Sequence, residues 1–234
     1  NTMADSLEKS EQRRQEFVAN VSHELKTPMT TIGGYIDGML DGTIPPEKQQ
    51  HYMQIVSGAV RRLSRLVRNM LDIAKLQAMG VEESRKTRFD LGEEMSDVLI
   101  TFEQKIYNKH LDVRVDLPDK PVWTRAERDS ITQVIYNLID NAIKFTPRGG
   151  SISVVSDKES PVIKLSVSDT GCGIAPADIP FVFKRFWRAD SSRHQPGNGL
   201  GLALVQAIVT SYGGRIVCTS EVGHGTTFTV SLPI

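Results

Sequence analysis

The sequence predicts a two-part chain in which a hairpin of two long helices precedes an α+β two-layer sandwich. Before residue 80, apolar residues recur every three or four positions, which is the spacing of amphipathic helices. After residue 88, short alternating segments typical of strands lie between further helical patterns. A length of 234 residues accommodates two domains. We therefore expect an all-α domain at residues 17–80, a linker at 81–87 and an α+β domain at 88–234.

The helical hairpin is predicted by two apolar stripes separated by helix breakers. The stripes run through Val21, Leu25, Met29, Ile32, Ile36 and Met39, and then through Val56, Val60, Leu63, Val67, Met70 and Ala74. Between them Gly42 and Pro45 interrupt the pattern, and Pro46 suits the first turn of a second helix. Two helices alone cannot cover both stripes, so we expect two copies of the chain to form a dimeric four-helix bundle.

The α+β domain is predicted from the order of its patterns. Alternation typical of strands occurs at 111–117, 152–154, 163–167 and 228–232, and helical patterns occur at about 92–108, 127–145, 177–184 and 200–212. This order predicts a mixed sheet covered by helices. At the other end of the chain, we expect residues 1–16 to form a helix that continues from a signalling region upstream. The sequence opens on Asn1 rather than Met, which indicates that it comes from a longer chain.

The composition excludes several classes of function. Lys and Arg number 28, as do Asp and Glu, so the formal net charge of zero argues against a nucleic-acid coat or a polybasic membrane tether. Two cysteines cannot build a disulfide framework, which favours a reducing compartment. No apolar run approaches the roughly 20 residues of a membrane helix. We expect neither a nucleic-acid partner nor a membrane contact for these residues.

His23 is the first candidate for chemistry. At about 100° per residue it points away from the apolar stripe, so its imidazole is predicted to face solvent. Glu24 is adjacent, and Thr27 lies one turn further on the same face. Pro28 cannot donate the helical hydrogen bond to the carbonyl of Glu24, so we expect the helix to kink or loosen there. These features favour a nucleophile with a base beside it over an ordinary surface or core histidine.

A second candidate site combines a polar helix face with glycine turns. Gln133, Asn137, Asn141 and Lys144 share one face of a helix, which is either its wet side or a set of ligands for Mg²⁺ and polyphosphate. Two turns follow, Asp169-Thr-Gly171-Cys-Gly173 and Gly197-Asn-Gly199-Leu-Gly201. Asp169 offers an acceptor suited to an adenine amino group, and the second turn opens a helix whose N-terminus suits phosphate.

Other nucleotide-binding motifs do not fit these turns. No strand is predicted before Gly197, which counts against a Rossmann unit, and a Walker A motif is missing. Cys172, between the glycines of the first turn, is either a modifiable thiol or a small filler.

The motifs together resemble those of sensor histidine kinases of two-component systems. The run from Phe17 to Pro28 resembles the H-box of that family. Five later segments resemble its N, G1, F, G2 and G3 boxes, in an ATP-binding domain shared with gyrase, Hsp90 and MutL: Asn137 with Asn141, 169–173, 183–186, 197–201 and 223–226. The gyrase-type ATPases carry a Glu where Asn137 stands, and the missing carboxylate fits a kinase that avoids activating water.

The resemblance implies a role for each matched residue. His23 would accept the γ-phosphoryl group of ATP, Glu24 would act as base, and Thr27 would position a water for dephosphorylating the partner. Asn141 would ligate Mg²⁺ with Asn137 assisting. The implied nucleotide-binding set is Asn137, Asn141, Lys144, Phe145, Asp169, Gly171, Gly173, Arg188, Gly197, Gly199, Leu200, Gly201, Leu202 and Thr226.

The resemblance also implies a partner, a location and two competing functions. The partner is the receiver domain of a response regulator, and the parent protein is a bacterial sensor anchored in the cell membrane with this part in the cytoplasm. The alternatives are a gyrase/Hsp90-type ATPase that does not label itself and a silent dimeric signalling scaffold. The H-box argues against the first, and the intact nucleotide motifs argue against the second.

Two basic clusters are expected to handle phosphate. The first is a mobile ATP lid at 184–193, which a plain solvated loop would also explain; its charges are Lys184, Arg185, Arg188 and Arg193 against Asp190. A turn near residue 44 or 45 places His23 level with about residue 66. Arg62, Arg65 and Arg68 flank that level, where they either stabilise a phosphohistidine region and steer an acidic partner or form an ordinary solvated face.

Overall fold

The computed structural model describes residues 2–79, 83–118, 120–159, 162–189 and 197–233. The chain divides into two compact units, residues 1–71 and 72–234. The first consists of helix α1 and most of helix α2, and the second contains the end of α2 and all of the sheet structure. None of the described helices is long and apolar enough to cross a membrane.

The predicted helical hairpin is present. Helix α1 spans Thr2–Leu40 and helix α2 spans Pro46–Met79. The loop between them is closed by the N–H of Ile44, which donates to the carbonyl of Gly38 at 2.7 Å, and by the N–H of Thr43, which donates to Asp41 Oδ1 at 2.8 Å. Helix α1 continues through Pro28, so the proline does not end the helix.

The contacts between the two helices set their register. The rings of Tyr35 and Tyr52 lie 4.9 Å apart. Because antiparallel helices advance equally per residue, this pair places His23 level with about residue 64, two positions before the predicted level. Arg62 and Arg65 flank this level and are exposed.

The predicted apolar stripe of α2 is only partly covered within one chain. Ala59 and Leu66 are buried, whereas Val60 and Val67 of the predicted stripe are 45% and 42% exposed. These residues lie on adjacent faces, about 100° apart. Helix α2 therefore carries more apolar surface than one partner helix covers.

The second unit is built around a five-stranded sheet in the order β2-β4-β5-β7-β6. The strands span Asp112–Asp116 (β2), Ser151–Glu159 (β4), Val162–Asp169 (β5), Arg215–Glu221 (β6) and Gly225–Pro233 (β7). Strand β2 runs parallel to β4 and the other neighbours are antiparallel, so the sheet is mixed as predicted. A separate two-stranded sheet pairs β1 (Thr87–Asp90) with β3 (Trp123–Ala126).

Four helices accompany the sheet. They span Leu91–Thr101 (α3), Glu103–Lys109 (α4), Arg128–Phe145 (α5) and Gly201–Ser211 (α6). Alternate residues of β4, β5 and β7 are buried, as are the apolar stripes of α5 and α6. The core thus lies between the sheet and these two helices.

Several predicted elements are wrong in detail. The pattern at 92–108 forms two helices, α3 and α4, which meet at Phe102; its ring is 1% exposed and lies 4.7 Å from that of Tyr136. The helix predicted at 177–184 is a single 3₁₀ turn at Ile179–Phe181 within other turns. Pro176 and Pro180 explain this, because neither can donate a backbone hydrogen bond to a longer helix.

Three of the described strands, β1, β3 and β6, were not predicted from the sequence. Strands β1 and β3 have only four residues each, too few to establish an alternation. Strand β6 lies at the edge of the sheet, and none of its residues is fully buried, so its apolar residues carry a weak signal.

Replacing a core residue of α5 should destabilise the second unit. Ile135 is fully buried, and Ile135→Ala should lower the free energy of unfolding by about 2–5 kcal/mol through lost burial and a residual cavity. The measurement is urea denaturation followed by tryptophan fluorescence, because Trp123 and Trp187 both belong to this unit. Ile100→Ala is the matched control: Ile100 is 67% exposed, and its loss should change stability by no more than about 0.5 kcal/mol. Equal effects of both substitutions would contradict the assigned core.

Candidate functional site

His23 projects from α1 into solvent. Its side chain is 80% exposed, as the helical spacing predicts. Its Nδ1 lies 4.0 Å from Glu24 Oε1, which is an ion-pair distance rather than a hydrogen bond. When a carboxylate accepts a hydrogen bond from Nδ1 of a histidine, the lone pair of Nε2 is left for a reaction.

Thr27 lies one turn beyond His23 on the same side of α1. Its Oγ1 donates to the carbonyl of His23 at 3.4 Å, and the Oγ1 of Thr31 donates to the carbonyl of Thr27 at 3.0 Å. The structure therefore brings His23, Glu24 and Thr27 together on one exposed stretch of helix.

The polar face of α5 meets the start of α6 at Asn137. The Nδ2 of Asn137 donates to the carbonyl of Gln133 at 2.7 Å, which turns Oδ1 outward. This Oδ1 lies 2.9 Å from where a Cβ of Gly201 would stand. Glycine at 201 thus allows the first turn of α6 to approach the amide oxygen. Asn141, one turn later on α5, is half-buried on the same face.

Lys144 lies close to the second glycine turn. Its Nζ is 2.8 Å from where a Cβ of Gly197 would stand and 4.5 Å from the centroid of the Phe145 ring. Burial lowers the pKa of Lys144, and the nearby Arg188 guanidinium lowers it further, while Asp140 opposes both effects. A bound anion would relieve the repulsion between these two cations, so the pair favours a site for an anion.

Asp169 ends strand β5 and opens the first glycine turn. Its Oδ1 accepts the N–H of Gly171 at 2.8 Å, and its carboxylate also accepts the backbone N–H of Thr226. Burial raises the pKa of this carboxyl, and the two backbone donors limit the rise. Thr226 is 7% exposed, and its Oγ1 lies 2.9 Å from Ser220 Oγ.

Two glycines of this region stand where no other residue fits. Gly173 has φ +70°, and its Cβ would lie 2.0 Å from the carbonyl oxygen of Glu221. Gly225 has φ +106°, and its Cβ would lie 1.8 Å from the carbonyl oxygen of Asp169. Both positions therefore require glycine for close backbone approach. They hold the turn after β5 against the turn between β6 and β7.

The second glycine turn leads directly into α6, as predicted. Gly199 has φ +66°, and its carbonyl accepts the N–H of Phe186 at 3.0 Å. Leu200 is fully buried, its N–H donates to Asn198 Oδ1 at 3.2 Å, and Leu202 follows half-buried in the first turn of α6. The first backbone N–H groups of this helix have no intrahelical acceptor, so they can bind an anion.

We call the surface formed by Asn137, Asn141, Lys144, Asp169 and the start of α6 the cradle. Its parts are joined at Gly171, whose Cβ would lie 2.6 Å from both Asp169 Oδ1 and the carbonyl oxygen of Phe145. The cradle combines amide oxygens, a cation, a half-buried carboxyl and a helix N-terminus. This combination can bind a molecule that has both an amino-bearing ring and an anionic tail.

The predicted basic lid is only partly described. Lys184 lies 4.4 Å from the ring centroid of Phe181, and Arg185 and Arg188 are half-buried. Phe186 adopts φ +61°, an uncommon value for a non-glycine residue. Asp190 and Arg193 lie outside the described residues.

Two residues of this region, Ser220 and Cys218, were not predicted from the sequence to belong to it. Ser220 accepts the N–H of Ile174 at 2.8 Å and donates to the carbonyl of Gly225 at 2.8 Å, which ties the two turns together. Since strand β6 itself was not predicted, no signal pointed to it. Cys218, on the same strand, has its pKa raised to about 11 by burial and by the charge of Asp169, so its thiol stays protonated near neutral pH. Cys172 is exposed.

Two family models match the chain. Residues 13–78 match the His Kinase A (phospho-acceptor) domain. Residues 126–234 match the histidine kinase-, DNA gyrase B- and HSP90-like ATPase. The first match contains His23, and the second contains every residue of the cradle.

Two curated relatives match nearly the whole chain. Sensor histidine kinase WalK of Bacillus subtilis is 36% identical over 235 residues, covering 97% of this chain and 38% of the relative. Sensor protein SrrB of Staphylococcus aureus is 35% identical over 226 residues, covering 95% and 38%. The chain therefore spans about two fifths of the length of these relatives.

Solved structures of histidine kinases resemble this chain over most of its length. Histidine kinase AdeS of Acinetobacter baumannii is 30% identical with a TM-score of 0.75, covering 90% of this chain and 97% of that one. Histidine kinase ThkA, in complex with response regulator protein TrrA, is 28% identical with a TM-score of 0.75, covering 97% and 66%. With a phospho-acceptor hairpin, an ATPase-type domain and these relatives, the chain belongs to the sensor histidine kinases.

Proposed function

We propose that this chain is the cytoplasmic kinase portion of a longer, membrane-anchored sensor protein. It binds Mg·ATP, transfers the γ-phosphoryl group to His23, and passes it to an aspartate of a response regulator. The observation that carries the proposal is the exposed imidazole of His23 beside Glu24, in a chain whose other unit contains the cradle. The domains are residues 17–80 and 88–234, joined by 81–87, and residues 1–16 continue a signalling helix from upstream.

The cradle fits ATP on the chemistry of its donors. Asp169 provides a half-buried acceptor for the adenine amino group. Lys144, Arg188 and the N-terminus of α6 provide positive charge for the phosphates. The close approaches at Gly197 and Gly201 bring the second glycine turn and the start of α6 next to Lys144 and Asn137, so the groups proposed to bind the phosphates and their cation lie together.

Magnesium fits the same face of α5. Among the described residues no group of three His, Cys, Asp or Glu side chains could hold a metal. Asn141, assisted by Asn137, offers amide oxygens, which suit a hard cation that takes most of its ligands from phosphate and water. When bound, Mg²⁺ would neutralise part of the phosphate charge.

The reaction at His23 needs a nucleophile and a place for one proton. The Nε2 lone pair forms the N–P bond while the bond between the γ-phosphorus and the bridging oxygen breaks, and ADP leaves. The imidazole thereby becomes positively charged, and Glu24 accepts the proton from Nδ1. Lys144 and Arg188 stabilise the charge on the phosphates.

The amide of Asn137 separates this proposal from a gyrase/Hsp90-type ATPase. An amide cannot accept a proton from water as a carboxylate can. The cradle residues that α5 contributes, Asn137, Asn141 and Lys144, include no carboxylate, and the nearby Asp140 is paired with Lys105 at 2.7 Å. Transfer to His23 is therefore favoured over hydrolysis.

The first unit is proposed to form the homodimer. Its helices expose apolar side chains that a second copy would cover: Val18, Met29, Ile36, Val60 and Val67 are all 39% exposed or more. Apolar surface in this regular arrangement favours pairing into a four-helix bundle.

The partner is proposed to be a response regulator receiver domain. The related kinase ThkA has been solved in complex with response regulator protein TrrA, which supports a partner of this class. Thr27, one turn from His23, is placed to position a water that hydrolyses the phosphorylated aspartate of that partner. Such phosphatase activity would use the same exposed stretch of α1 as the forward transfer.

Loss of the acceptor histidine should abolish self-labelling. His23→Gln should remove all protein-bound label after incubation with γ-labelled ATP and Mg²⁺, because glutamine has no nucleophilic ring nitrogen. Binding of ATP should stay within about twofold, since the cradle lies in the other unit. His51→Gln, which changes an exposed histidine of α2, is the control and should keep its label. Label that persists on His23→Gln would refute the assignment.

Nucleotide affinity should decline in mild acid because of Asp169. Its raised pKa means that it loses its charge at a higher pH than an ordinary aspartate, and the neutral acid is a poorer acceptor for the adenine amino group. Asp169→Asn should weaken ATP binding about tenfold at pH 7.5, and the ratio of wild-type to variant affinity should shrink as the pH falls.

Calorimetric titrations of ATP binding between about pH 5 and about pH 8 measure this dependence. Asp157→Asn, at an exposed site on β4, is the control for general charge effects and should follow the wild type. A wild-type to Asp169→Asn ratio that does not change with pH would contradict the role of the carboxylate.

Removal of the Thr27 hydroxyl should separate the two activities. Thr27→Ala should keep the rate of self-labelling within about twofold but slow the hydrolysis of a phosphorylated receiver protein by about tenfold or more. The assay follows loss of label from whichever receiver protein the chain has phosphorylated, in the presence of ADP. Thr31→Ala, one turn further along α1, should hydrolyse normally. Equal hydrolysis rates for the wild type and Thr27→Ala would remove this role.

A further inference from the structure

Lys109 is the last residue of α4, and its side chain ends at the C-terminus of α5. Its Nζ donates to three carbonyl oxygens, those of Ile143 at 2.7 Å, Lys144 at 3.1 Å and Thr146 at 2.8 Å. An ammonium has three N–H donors, so these contacts use all of them. The backbone carbonyl of Lys109 also accepts the N–H of Gly149 at 2.9 Å. One residue thus holds the last turn of α5 and the loop that follows.

This contact provides partners for two of the carbonyls at the end of α5. The last four carbonyls of a helix have no intrahelical partner. The carbonyl of Ala142 accepts the N–H of Thr146 at 3.0 Å and its Oγ1 at 2.6 Å, and the next two carbonyls accept from Lys109. The last one, of Phe145, faces Gly171. Burial lowers the pKa of Lys109, and the negative end of the helix dipole favours its charge.

The same turn of α5 carries two parts of the cradle. The Nζ of Lys144 reaches the space beside Gly197. The carbonyl oxygen of Phe145 borders Gly171, whose N–H donates to Asp169. A displacement of this turn would move Lys144 away from the second glycine turn. Since all three donors of Lys109 are already used, its own ammonium is not a ligand for phosphate.

We propose that Lys109 is a positioning residue for the nucleotide site: by holding the carbonyls at the end of α5, it keeps Lys144 directed at the phosphates. This inference rests on the proposed binding of ATP by the cradle. It gives the half-buried ammonium of Lys109 a consequence for ligand affinity in addition to its contribution to stability.

A double-mutant cycle on nucleotide affinity tests the inference. Lys109→Met keeps the aliphatic stem and removes the donors, and Lys144→Met removes the cation that contacts phosphate. Lys109→Met alone should weaken binding of a non-hydrolysable ATP analogue by about tenfold, while the affinity for adenosine changes by less than about twofold. In the Lys144→Met background, Lys109→Met should weaken binding of the analogue by less than about twofold, because the side chain through which Lys109 acts is absent.

The matched control is Lys105→Met. Lys105 also lies on α4 and also reaches α5, but its Nζ contacts the side chain of Asp140 at 2.7 Å rather than the helix end. It should change the affinity for the analogue by less than about twofold. Tryptophan fluorescence confirms that each variant is folded at the temperature of the titration. If Lys109→Met does not fold, Lys109→Gln, which keeps two donors, replaces it in the same cycle.

The outcomes are distinct. Strong coupling between Lys109 and Lys144, with normal binding by Lys105→Met, supports the inference. Equal losses in both backgrounds, or an unchanged affinity in Lys109→Met, would overturn it while leaving ATP binding established. A wild-type chain with no affinity for the analogue would overturn the proposed function together with the inference.

Discussion

The packing of α5 against one face of the five-stranded sheet is the constraint on which the rest of the second unit depends. Seven residues of α5 are buried, and their spacing leaves only one side of the helix free for polar groups. Asn137, Asn141 and Lys144 occupy that side. Burial of the apolar stripe of α5 therefore sets the direction of its polar face. The hydrophobic effect that stabilises the unit thus also orients the polar side chains of the cradle.

Close approach of backbone to backbone completes the cradle. At Gly173 and Gly225 the chain passes another backbone at a distance that excludes even a methyl group. Strand β5 delivers Asp169 to this point, and pairing with β7 presents the N–H of Thr226 to its carboxylate. The half-buried carboxyl of Asp169 is therefore supported by backbone donors, which limits the cost of its charge in a poorly solvated place. Hydrogen bonding and steric exclusion act on the same few residues.

The two units meet opposite requirements. Asp169 and Lys144 are partly withdrawn from water, and both have pKa values displaced by burial. His23 is 80% exposed and sits on a helix that is continuous through Pro28. In the proposed function, His23 has to reach a nucleotide and then a partner protein, which requires access, whereas the groups proposed to bind the nucleotide gain strength from a lower dielectric. This difference explains why the sequence places the two kinds of site in separate domains.

The sequence by itself determined the long helices, the solvent-facing His23 and the glycine turns, because helical periodicity and the demand for glycine are local properties. It also predicted the mixed sheet, since four of its five strands alternate clearly. The helix predicted at 177–184 is only a 3₁₀ turn, and the helix predicted at 92–108 is divided in two at Phe102. Neither strand β6 nor the role of Ser220 was predicted. Only the tertiary structure decided which stripe of α2 is buried, that burial raises the pKa of Asp169, and that Lys109 reaches the end of α5. These depend on residues distant in sequence, whose contacts no local pattern encodes.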